Sequence, residues 1–461
     1  MDFAYITFVN NNENYINLMK STIKSVELFS HYPLIVYCVD IPPETNPFIA
    51  NEKCILRNIS MADINDQNIY YMKPYVIVDA IKRGLQKGYY IEADDLLTPN
   101  ADSIKPLADN LDKYPISPIH PGDATVSTEF MAKINVQQKT QHYIHGHVLF
   151  KHTNLPFLQE WLDNCFLSVG EHWDESVLNC MYWKYGLTNH YLPIIDPWYQ
   201  TFYHDPASMN KVVSLHGCKN PEEHAAVLQE MLALFYRENK VSVIVPTYNR
   251  FKYLMNTITS IKAQTYPSIE IIVVNDASTQ REYYDYTWPA DIKIIHLATN
   301  SKAILGFASC AHVRNQGIPL ATGKYIAFCD DDDSWFSQKL ELQIKAMRAT
   351  GCQMSSTDGL VGHGVFNPAN LNTIYSGFFT QIKLPELWDL ALMQSTNYML
   401  GSSVMLEKTL LNKINNFSEL KPPTEDYLCW LRALQHTKSA YVNVPCVYYD
   451  MNHGDGRNYT L

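Results

Sequence analysis

The sequence lacks the features that membrane-spanning and secreted proteins need. Its 461 residues contain no run of 18 or more apolar residues, so no segment is predicted to cross a bilayer as a helix. The first 15 residues have neither a basic start nor a long apolar core, as a secretory signal would. The ten cysteines include no C-x-x-C pair, which predicts reduced and mostly buried thiols. These absences predict a cytoplasmic enzyme.

Positive charge is also scarce. The chain has 36 lysines and arginines against 47 aspartates and glutamates, a formal net charge of −11. Proteins that bind nucleic acid normally present a basic surface, so nucleic acid is not expected as a partner. Apolar residues make up 46% and charged residues 18% of the chain, as in a folded globular protein. A phosphorylated small substrate stays compatible with this charge, because a bound metal ion reverses the local field.

The chain repeats one strand–helix pattern twice. In each half an apolar strand is followed by a polar loop, a helical stretch and a second strand that ends in an acidic residue, Asp40 or Asp276. The segment 221–240 opens with proline and two glutamates, a favourable helix start. The pattern predicts two α/β domains, 1–220 and 241–461, joined by that helix; one large domain with an inserted helix is the alternative. The predicted strands are 3–9, 33–39, 241–246 and 269–276.

Four consecutive aspartates, Asp330–Asp333, follow a predicted buried strand in the second half. Open α/β sheets bind ligands at the carboxyl ends of their strands. Adjacent carboxylates repel one another unless a cation is present, and Mg²⁺ or Mn²⁺ suits oxygen ligands. A solvated acidic turn is the alternative, but it fits poorly between a buried strand and Trp335. The run therefore predicts a divalent metal site.

Four segments of the second half occur in a fixed order. They are VSVIVPTYNR (241–250), VVNDAS (273–278), AHVRNQGIPLATGKYIAFCDDDDSW (311–335) and TEDYLCWLRAL (424–434). Together they resemble the family 2 glycosyltransferases, over essentially all of 241–461. The resemblance implies the GT-A fold, a Rossmann-like α/β sandwich that binds a nucleotide-diphospho-sugar with a divalent metal.

The resemblance also implies roles for the acidic residues. Asp332 would be the direct metal ligand of the D-x-D motif, and Asp330 or Asp331 would face the ribose or a metal-bound water. Asp426 would be the base that takes the acceptor proton in an inverting reaction, and Glu425 would orient the acceptor. A plain helix start is the alternative for this acidic pair.

The same resemblance implies a nucleotide site. Tyr248 would stack on the base, and Asp276 would accept the imide N–H of uracil, which favours a uridine nucleotide. The alternative for Asp276 is an N-cap of the next helix. Arg314 would contact the diphosphate or else pair with the aspartates, and His453 would join the metal and diphosphate site. Pro246, Thr247 and Tyr248 are implied to line the base, and Asn249 to close the turn.

The first half carries a related acidic segment. YYIEADD (89–95) resembles the D-x-D region of other GT-A transferases, with Glu92 in place of the first aspartate. The resemblance implies Glu92 and Asp94 as metal ligands. Asp174 and Glu175 are the acids best placed to meet an acceptor, with a helix start as the alternative.

The end of the first half resembles the C-terminal element of family 8 glycosyltransferases. SLHGCKNP (214–221) matches its His-Gly-Lys pattern. That likeness implies His216 as a further metal ligand and Lys219 as a diphosphate contact, whereas a surface histidine is the alternative for His216.

These features lead to one hypothesis and one alternative. The hypothesis is a bifunctional, metal-dependent enzyme with two tandem GT-A domains, which transfers sugars from UDP-sugars to a glycan or glycoprotein. The alternative is a single-headed family 2 enzyme whose first half is a non-catalytic acceptor-binding or dimerising domain. A sugar-binding protein without catalysis is disfavoured because binding alone has no use for Asp426. A nucleic-acid polymerase would need a basic channel, which this composition does not supply.

Overall fold

The chain forms two compact units, Met1–Leu234 and Phe235–Leu461. The helix Pro221–Glu238 contains the boundary between them, and its role as a linker stays a prediction. No helix among the residues covered is long and apolar enough to cross a membrane. The computed structural model describes residues 1–64, 69–120, 126–137, 139, 143–144, 146–168, 172–187, 199–201, 213–216, 220–367, 376–377, 384–419 and 425–452.

The first unit is built on a five-stranded sheet in the order β3-β2-β1-β4-β8. Its first four strands are parallel, and β8 runs antiparallel to β4. Its strands are β1 Phe3–Asn10, β2 Leu34–Val39, β3 Cys54–Ile59, β4 Lys87–Tyr90, β5 Leu96–Leu97, β6 Ile119–His120, β7 Tyr143–Ile144, β8 Val148–Lys151, β9 Tyr199–Thr201 and β10 Ser214–His216. Its helices are Glu13–Phe29, Met72–Lys82, Lys105–Asp109, Thr128–Lys133, Leu155–Ser168 and Asp174–Lys184.

The strands predicted at 3–9 and 33–39 are confirmed as β1 and β2. Every residue of β2 is buried, as expected for a parallel strand covered on both faces. The helix after β1, Glu13–Phe29, is capped by Asn12, whose side chain accepts the backbone N–H groups of Asn14 and Tyr15. The pattern of apolar runs therefore located the centre of this sheet correctly.

The second unit contains a ten-stranded sheet with the main order β13-β12-β11-β14-β19-β16-β20-β15. Strands β11 to β14 are parallel, and β19 runs antiparallel to β14. Its strands are β11 Val241–Thr247, β12 Ile269–Asn275, β13 Ile292–His296, β14 Tyr325–Phe328, β15 Ser334–Trp335, β16 Met354–Gly362, β17 Ser376–Gly377, β18 Leu387–Trp388, β19 Met405–Glu407 and β20 Ser439–Asp450. Its helices are Phe251–Lys262, Glu282–Asp285, Ser301–Leu305, Cys310–Gly317, Lys339–Thr350, Leu390–Ser395, Lys408–Lys413 and Glu425–Ala433.

The two units share one strand order at the centre of their sheets. In each, the first strand lies between the second and the fourth, and an antiparallel strand, β8 or β19, lies on the other side of the fourth. The strands predicted at 241–246 and 269–276 are confirmed as β11 and β12. In both units the acidic segment directly follows the fourth strand, β4 or β14, which places it at the carboxyl edge of the parallel strands.

The second unit also buries one lysine. Lys339 begins the helix Lys339–Thr350 and is 0% exposed. Its Nζ donates to Gln343 Oε1 at 2.6 Å and lies 4.0 Å from the ring centroid of Trp335. Because burial penalises the charged form, the pKa of Lys339 falls from 10.5 to about 7.

This lysine makes the stability of the fold depend on pH. The unfolded chain binds the proton more tightly than the folded chain, so stability should rise between about pH 7 and pH 10.5. We expect Lys339→Met to be more resistant to urea than the wild type at pH 7, with a difference that shrinks towards pH 10. The control is Lys413→Met at an exposed position. A difference that grew with pH would contradict this account.

Candidate active site

A clamped loop follows β11 and forms one wall of the candidate site in the second unit. Asn249 adopts a left-handed backbone conformation, with φ at 52°. Its Oδ1 accepts the backbone N–H groups of Thr279 at 2.7 Å and Gln280 at 3.2 Å. Its own N–H donates to Ser278 Oγ at 2.9 Å. The loop after β11 is thereby tied to the loop after β12.

The residues expected to hold the base lie at this clamp. Pro246 and Thr247 end β11 and are buried, whereas Tyr248 and Asn249 are half-buried beyond it. Thr247 Oγ1 lies 2.5 Å from the hydroxyl of Tyr283. Asn249 therefore closes the turn after the three predicted base-lining residues, and their contact with a base stays a proposal.

Asp276 ends this wall, and its carboxylate contacts a neighbouring helix start. Oδ1 accepts the N–H of Ser301 at 2.7 Å, and Oδ2 accepts the Ser301 hydroxyl at 2.7 Å and the Asn300 amide at 3.1 Å. Burial raises the pKa of Asp276, and the hydrogen bonds from Ser301 oppose that rise. Both oxygens thus already accept bonds within the protein, and uracil recognition by this residue stays a proposal.

The aspartate run lies across from the clamped loop. Asp331 and Asp333 are buried, with 4% and 1% exposure. Burial, with repulsion from Asp331, raises the pKa of Asp332 to about 8 against the opposing charge of Arg250. These carboxylates therefore resist ionisation unless positive charge is near.

Arg250 supplies positive charge to two members of the run. Its Nη1 lies 2.8 Å from Asp332 Oδ2 and 3.1 Å from Asp331 Oδ1. Arg250 itself sits on the clamped loop, where its backbone N–H donates to the Tyr283 hydroxyl at 3.0 Å. The loop that is proposed to hold the base thus also aims a guanidinium at the aspartates.

Asp333 has a different environment. Its Oδ2 accepts the hydroxyl of Ser402, and its Oδ1 accepts the N–H of Asp450 at 3.2 Å. The Ser402 hydroxyl in turn accepts the N–H of Asp330 at 3.0 Å. These contacts make Asp333 an anchor of the acidic loop.

Arg314 and Asp426 complete this edge of the site. Arg314 is 4% exposed, and its Nη2 donates to Asp330 Oδ1 at 2.6 Å. Its guanidinium lies 5.4 Å from the ring centroid of Phe417. Burial raises the pKa of Asp426, against the charge of Arg314. The predicted base, Asp426, therefore lies beside the ion pair that the predicted diphosphate contact, Arg314, forms with Asp330.

The donor set of the second unit fits a divalent cation. Oxygen ligands suit Mg²⁺ and Mn²⁺, and Asp331 Oδ2 is buried with no hydrogen bond from the residues that are described. Glu425 Oε2, at the start of the helix Glu425–Ala433, is also buried with no hydrogen bond from the described residues. Orphaned buried oxygens are unusual in folded proteins and indicate a missing partner.

The first unit has its own charged cluster around Lys73. Lys73 Nζ lies 2.7 Å from Glu92 Oε1, 3.2 Å from Glu175 Oε1 and 3.7 Å from Asp174 Oδ2. Burial alone would lower the pKa of Lys73, but the three carboxylates raise it well above its usual value. Burial raises the pKa of Asp174 to about 7. The structure thus places the predicted residues Glu92, Asp174 and Glu175 around one lysine.

A second group in the first unit has the composition of a metal centre. Asp95, His147 and His216 are all buried, and one ligand atom from each lies within 4.8 Å of the others. Asp95 Oδ2 lies 2.6 Å from His147 Nε2, and Asp95 Oδ1 lies 2.8 Å from His216 Nδ1. Burial would lower the pKa of His216, but Asp95 and Asp94 raise it to about 9. The predicted ligand Asp94 is also buried, 3.7 Å from His216.

Two predicted residues, Lys219 and His453, lie outside the described residues. Sequence reasoning missed Arg250, Lys73, Asp95 and His147 as parts of the charged clusters, although Arg250 and Asp95 stand in segments with a recognised motif. A buried acidic cluster needs positive neighbours, and this requirement was the available signal.

The sequence of the second unit matches a known family. Residues 242–409 match the sequence profile described as Glycosyl transferase family 2. The chain is 31% identical over 204 residues to UDP-Glc:alpha-D-GlcNAc-diphosphoundecaprenol beta-1,3-glucosyltransferase WfgD of Escherichia coli, a match that covers 44% of this chain and 73% of WfgD. The second unit is thus a glycosyltransferase domain with the GT-A fold. The chain belongs to glycosyl transferase family 2.

Other relatives share smaller parts. An uncharacterized glycosyltransferase of Rickettsia bellii is 38% identical over 141 residues, which cover 30% of this chain and 19% of that protein. One of Rickettsia felis is 32% identical over 157 residues, 32% of this chain and 24% of that protein. This chain therefore spans about a fifth to a quarter of the length of these two relatives. Among solved structures, S. aureus TarS residues 1–349 is 22% identical with a TM-score of 0.36, over 47% of this chain and 62% of that one.

Proposed function

We propose that the second unit transfers a sugar from a UDP-sugar to a hydroxyl of a glycan or glycoprotein, with inversion at the anomeric carbon. The observation that carries the proposal is that Arg250, Arg314, Asp330–Asp333 and Asp426 lie along one edge of the sheet in a family 2 domain. The names of WfgD and WfaP of Escherichia coli both specify UDP-Glc as donor, which supports a UDP-sugar here. WfaP is 30% identical over 221 residues, 46% of this chain and 78% of WfaP.

The residues divide the reaction between them. Asp426 takes the proton of the acceptor hydroxyl as its oxygen forms a bond to the anomeric carbon. The bond from that carbon to the phosphate oxygen breaks, and its electron pair leaves with UDP. Arg314 stands beside Asp330 and faces the developing charge of the diphosphate.

Asp332 and its neighbours Asp330 and Asp331 would hold Mn²⁺ or Mg²⁺. When bound, the cation supplies positive charge that binds and orients the two phosphates. Arg250, which pairs with Asp331 and Asp332, is the internal cation that opposes the rise of their pKa values on burial. Tyr248 and Asp276 would position the uracil.

The first unit is proposed as a second glycosyltransferase head in a tandem arrangement. Support comes from the strand order that it shares with the second unit and from the acidic segment after β4. Asp95, His147, His216 and Asp94 would hold its metal, with Glu92 close by. In the alternative, only the second unit is catalytic. Lys73 favours this alternative, because it already pairs with Glu92, one of the predicted metal ligands.

The proposal is tested with Mn²⁺ and a panel of UDP-glucose, UDP-galactose and UDP-N-acetylglucosamine. We expect UDP release from at least one donor, and loss of the second unit's share in Asp332→Ala, because the mutant lacks the carboxylate that holds the cation near the diphosphate. Calorimetry should also show weaker Mn²⁺-dependent UDP binding. Asp285→Ala, at an exposed position of the same unit, is the control. Unchanged Mn²⁺-dependent binding in Asp332→Ala would count against this metal site.

Asp426→Asn should separate chemistry from binding. The amide keeps the shape of the side chain but accepts no proton, so turnover should fall by roughly 10²–10⁴-fold. Affinity for UDP with Mn²⁺ should stay within about two-fold of the wild type, the spread of a neutral substitution. The exposed Glu386→Gln is the matched control. Affinity that falls together with the rate would make Asp426 a binding residue.

The first unit is tested by metal binding in the Asp332→Ala chain. With UDP present, we expect that chain still to bind one Mn²⁺, and His216→Ala to abolish this binding because it removes an imidazole ligand. The control is His152→Ala at an exposed position. No Mn²⁺ binding by the Asp332→Ala chain would support the single-headed alternative.

A further inference from the structure

A single glycine of the second unit lies among three charged side chains. A Cβ atom built on Gly401 would lie 3.6 Å from Arg314 Nη2, 3.6 Å from Asp426 Oδ2 and 3.9 Å from Asp330 Oδ2. Among the described residues, and apart from Gly401 and its two chain neighbours, these are the three heavy atoms nearest to it. The missing side chain of Gly401 therefore leaves a gap bounded by one guanidinium and two carboxylates.

The position of Gly401 is fixed by the acidic loop. Gly401 begins the short turn Gly401–Ser403. The Ser402 hydroxyl accepts the N–H of Asp330 and donates to Asp333 Oδ2. The backbone carbonyl of Ser402 accepts the indole N–H of Trp335 at 3.0 Å. The turn and the aspartates thus form one rigid piece, and the gap is a built feature of the site.

One oxygen of Asp426 faces this gap. Asp426 Oδ1 accepts the N–H of Tyr427 at 2.6 Å, whereas Oδ2 is the Asp426 atom that lies 3.6 Å from the built Cβ. Two further polar atoms of the neighbourhood, Arg314 Nε and Glu425 Oε2, are buried without hydrogen bonds among the residues the structure covers. The Asp426 oxygen that does not bond to the backbone of Tyr427 is therefore the one that borders the gap.

We propose that the gap beside Gly401 holds the nucleophile, the acceptor hydroxyl or a water molecule, against Asp426 Oδ2, and that Gly401 keeps this space open. The inference rests on the proposed function of the second unit. A hydroxyl within hydrogen-bond reach of a base lies roughly 2.6–3.2 Å from it. Non-bonded heavy atoms stay about 3.5 Å apart, so a methyl group at Gly401 would displace that hydroxyl.

Substitution of Gly401 should leave the fold intact. Contacts of 3.6 to 3.9 Å are ordinary van der Waals distances, and φ of Gly401 lies outside the left-handed region. Gly401→Ala therefore adds its methyl group without strain in the protein. Gly401→Val extends further into the gap and gives a graded series.

The test measures UDP release from the donor that the wild type hydrolyses in the panel above, with Mn²⁺ present. The second unit's rate of UDP release is obtained as the wild-type rate minus the rate of Asp332→Ala. We expect kcat of this part to fall roughly 10- to 100-fold in Gly401→Ala and further in Gly401→Val, because small displacements of a reacting group cost rate on this scale. We expect no change in KM for the donor, in affinity for UDP with Mn²⁺ or in the melting temperature. If Gly401 had only a structural role, its substitution would change these quantities as well.

Each other outcome overturns a specific statement. A rate in Gly401→Ala and Gly401→Val within two-fold of the wild type would overturn the inference alone. A loss of UDP affinity in proportion to the rate would assign the gap to the nucleotide and also overturn it. If the valine variant unfolds, the alanine variant decides. Absence of UDP release by the wild type would overturn the proposed function and this inference with it.

Discussion

The site of the second unit depends on the burial of adjacent carboxylates. Asp331 and Asp333 are almost fully buried within a run of four aspartates, and burial raises the pKa of Asp331, Asp332 and Asp333. Charges in such a place persist only when opposite charge or hydrogen bonds compensate for lost water. Arg250 compensates Asp331 and Asp332, and Ser402 with a backbone N–H compensates Asp333.

The two arginines have different attachments, and this difference matters for function. Arg250 stands on the loop that Asn249 clamps, so its position is coupled to the wall proposed for the base. Arg314 stands on the helix Cys310–Gly317, beside the rings of Phe328 and Phe417. One guanidinium therefore links the aspartates to the clamped loop after β11, and the other links Asp330 to the side of Asp426.

The first unit meets the same constraint with other residues. Its acidic segment follows the equivalent strand, but one lysine and two histidines provide the compensation. Lys73 binds three carboxylates at once, whereas Asp95 is shared by His147 and His216. Imidazoles can also ligate metals, and a lysine that is charged cannot. The two units thus share a strand order while their charged edges differ in chemistry.

The central strands of both sheets follow from the amino-acid sequence, because buried parallel strands need near-continuous apolar runs. It also located the acidic segments, which follow such runs directly. The partners of those segments could not be read from it, because Arg250, Lys73 and His147 reach the acids only where separate strands and helices converge on one sheet edge. The gap beside Gly401 likewise exists only in three dimensions: a glycine in a sequence carries no sign of which side chains surround it, and the fold alone placed Arg314, Asp330 and Asp426 there.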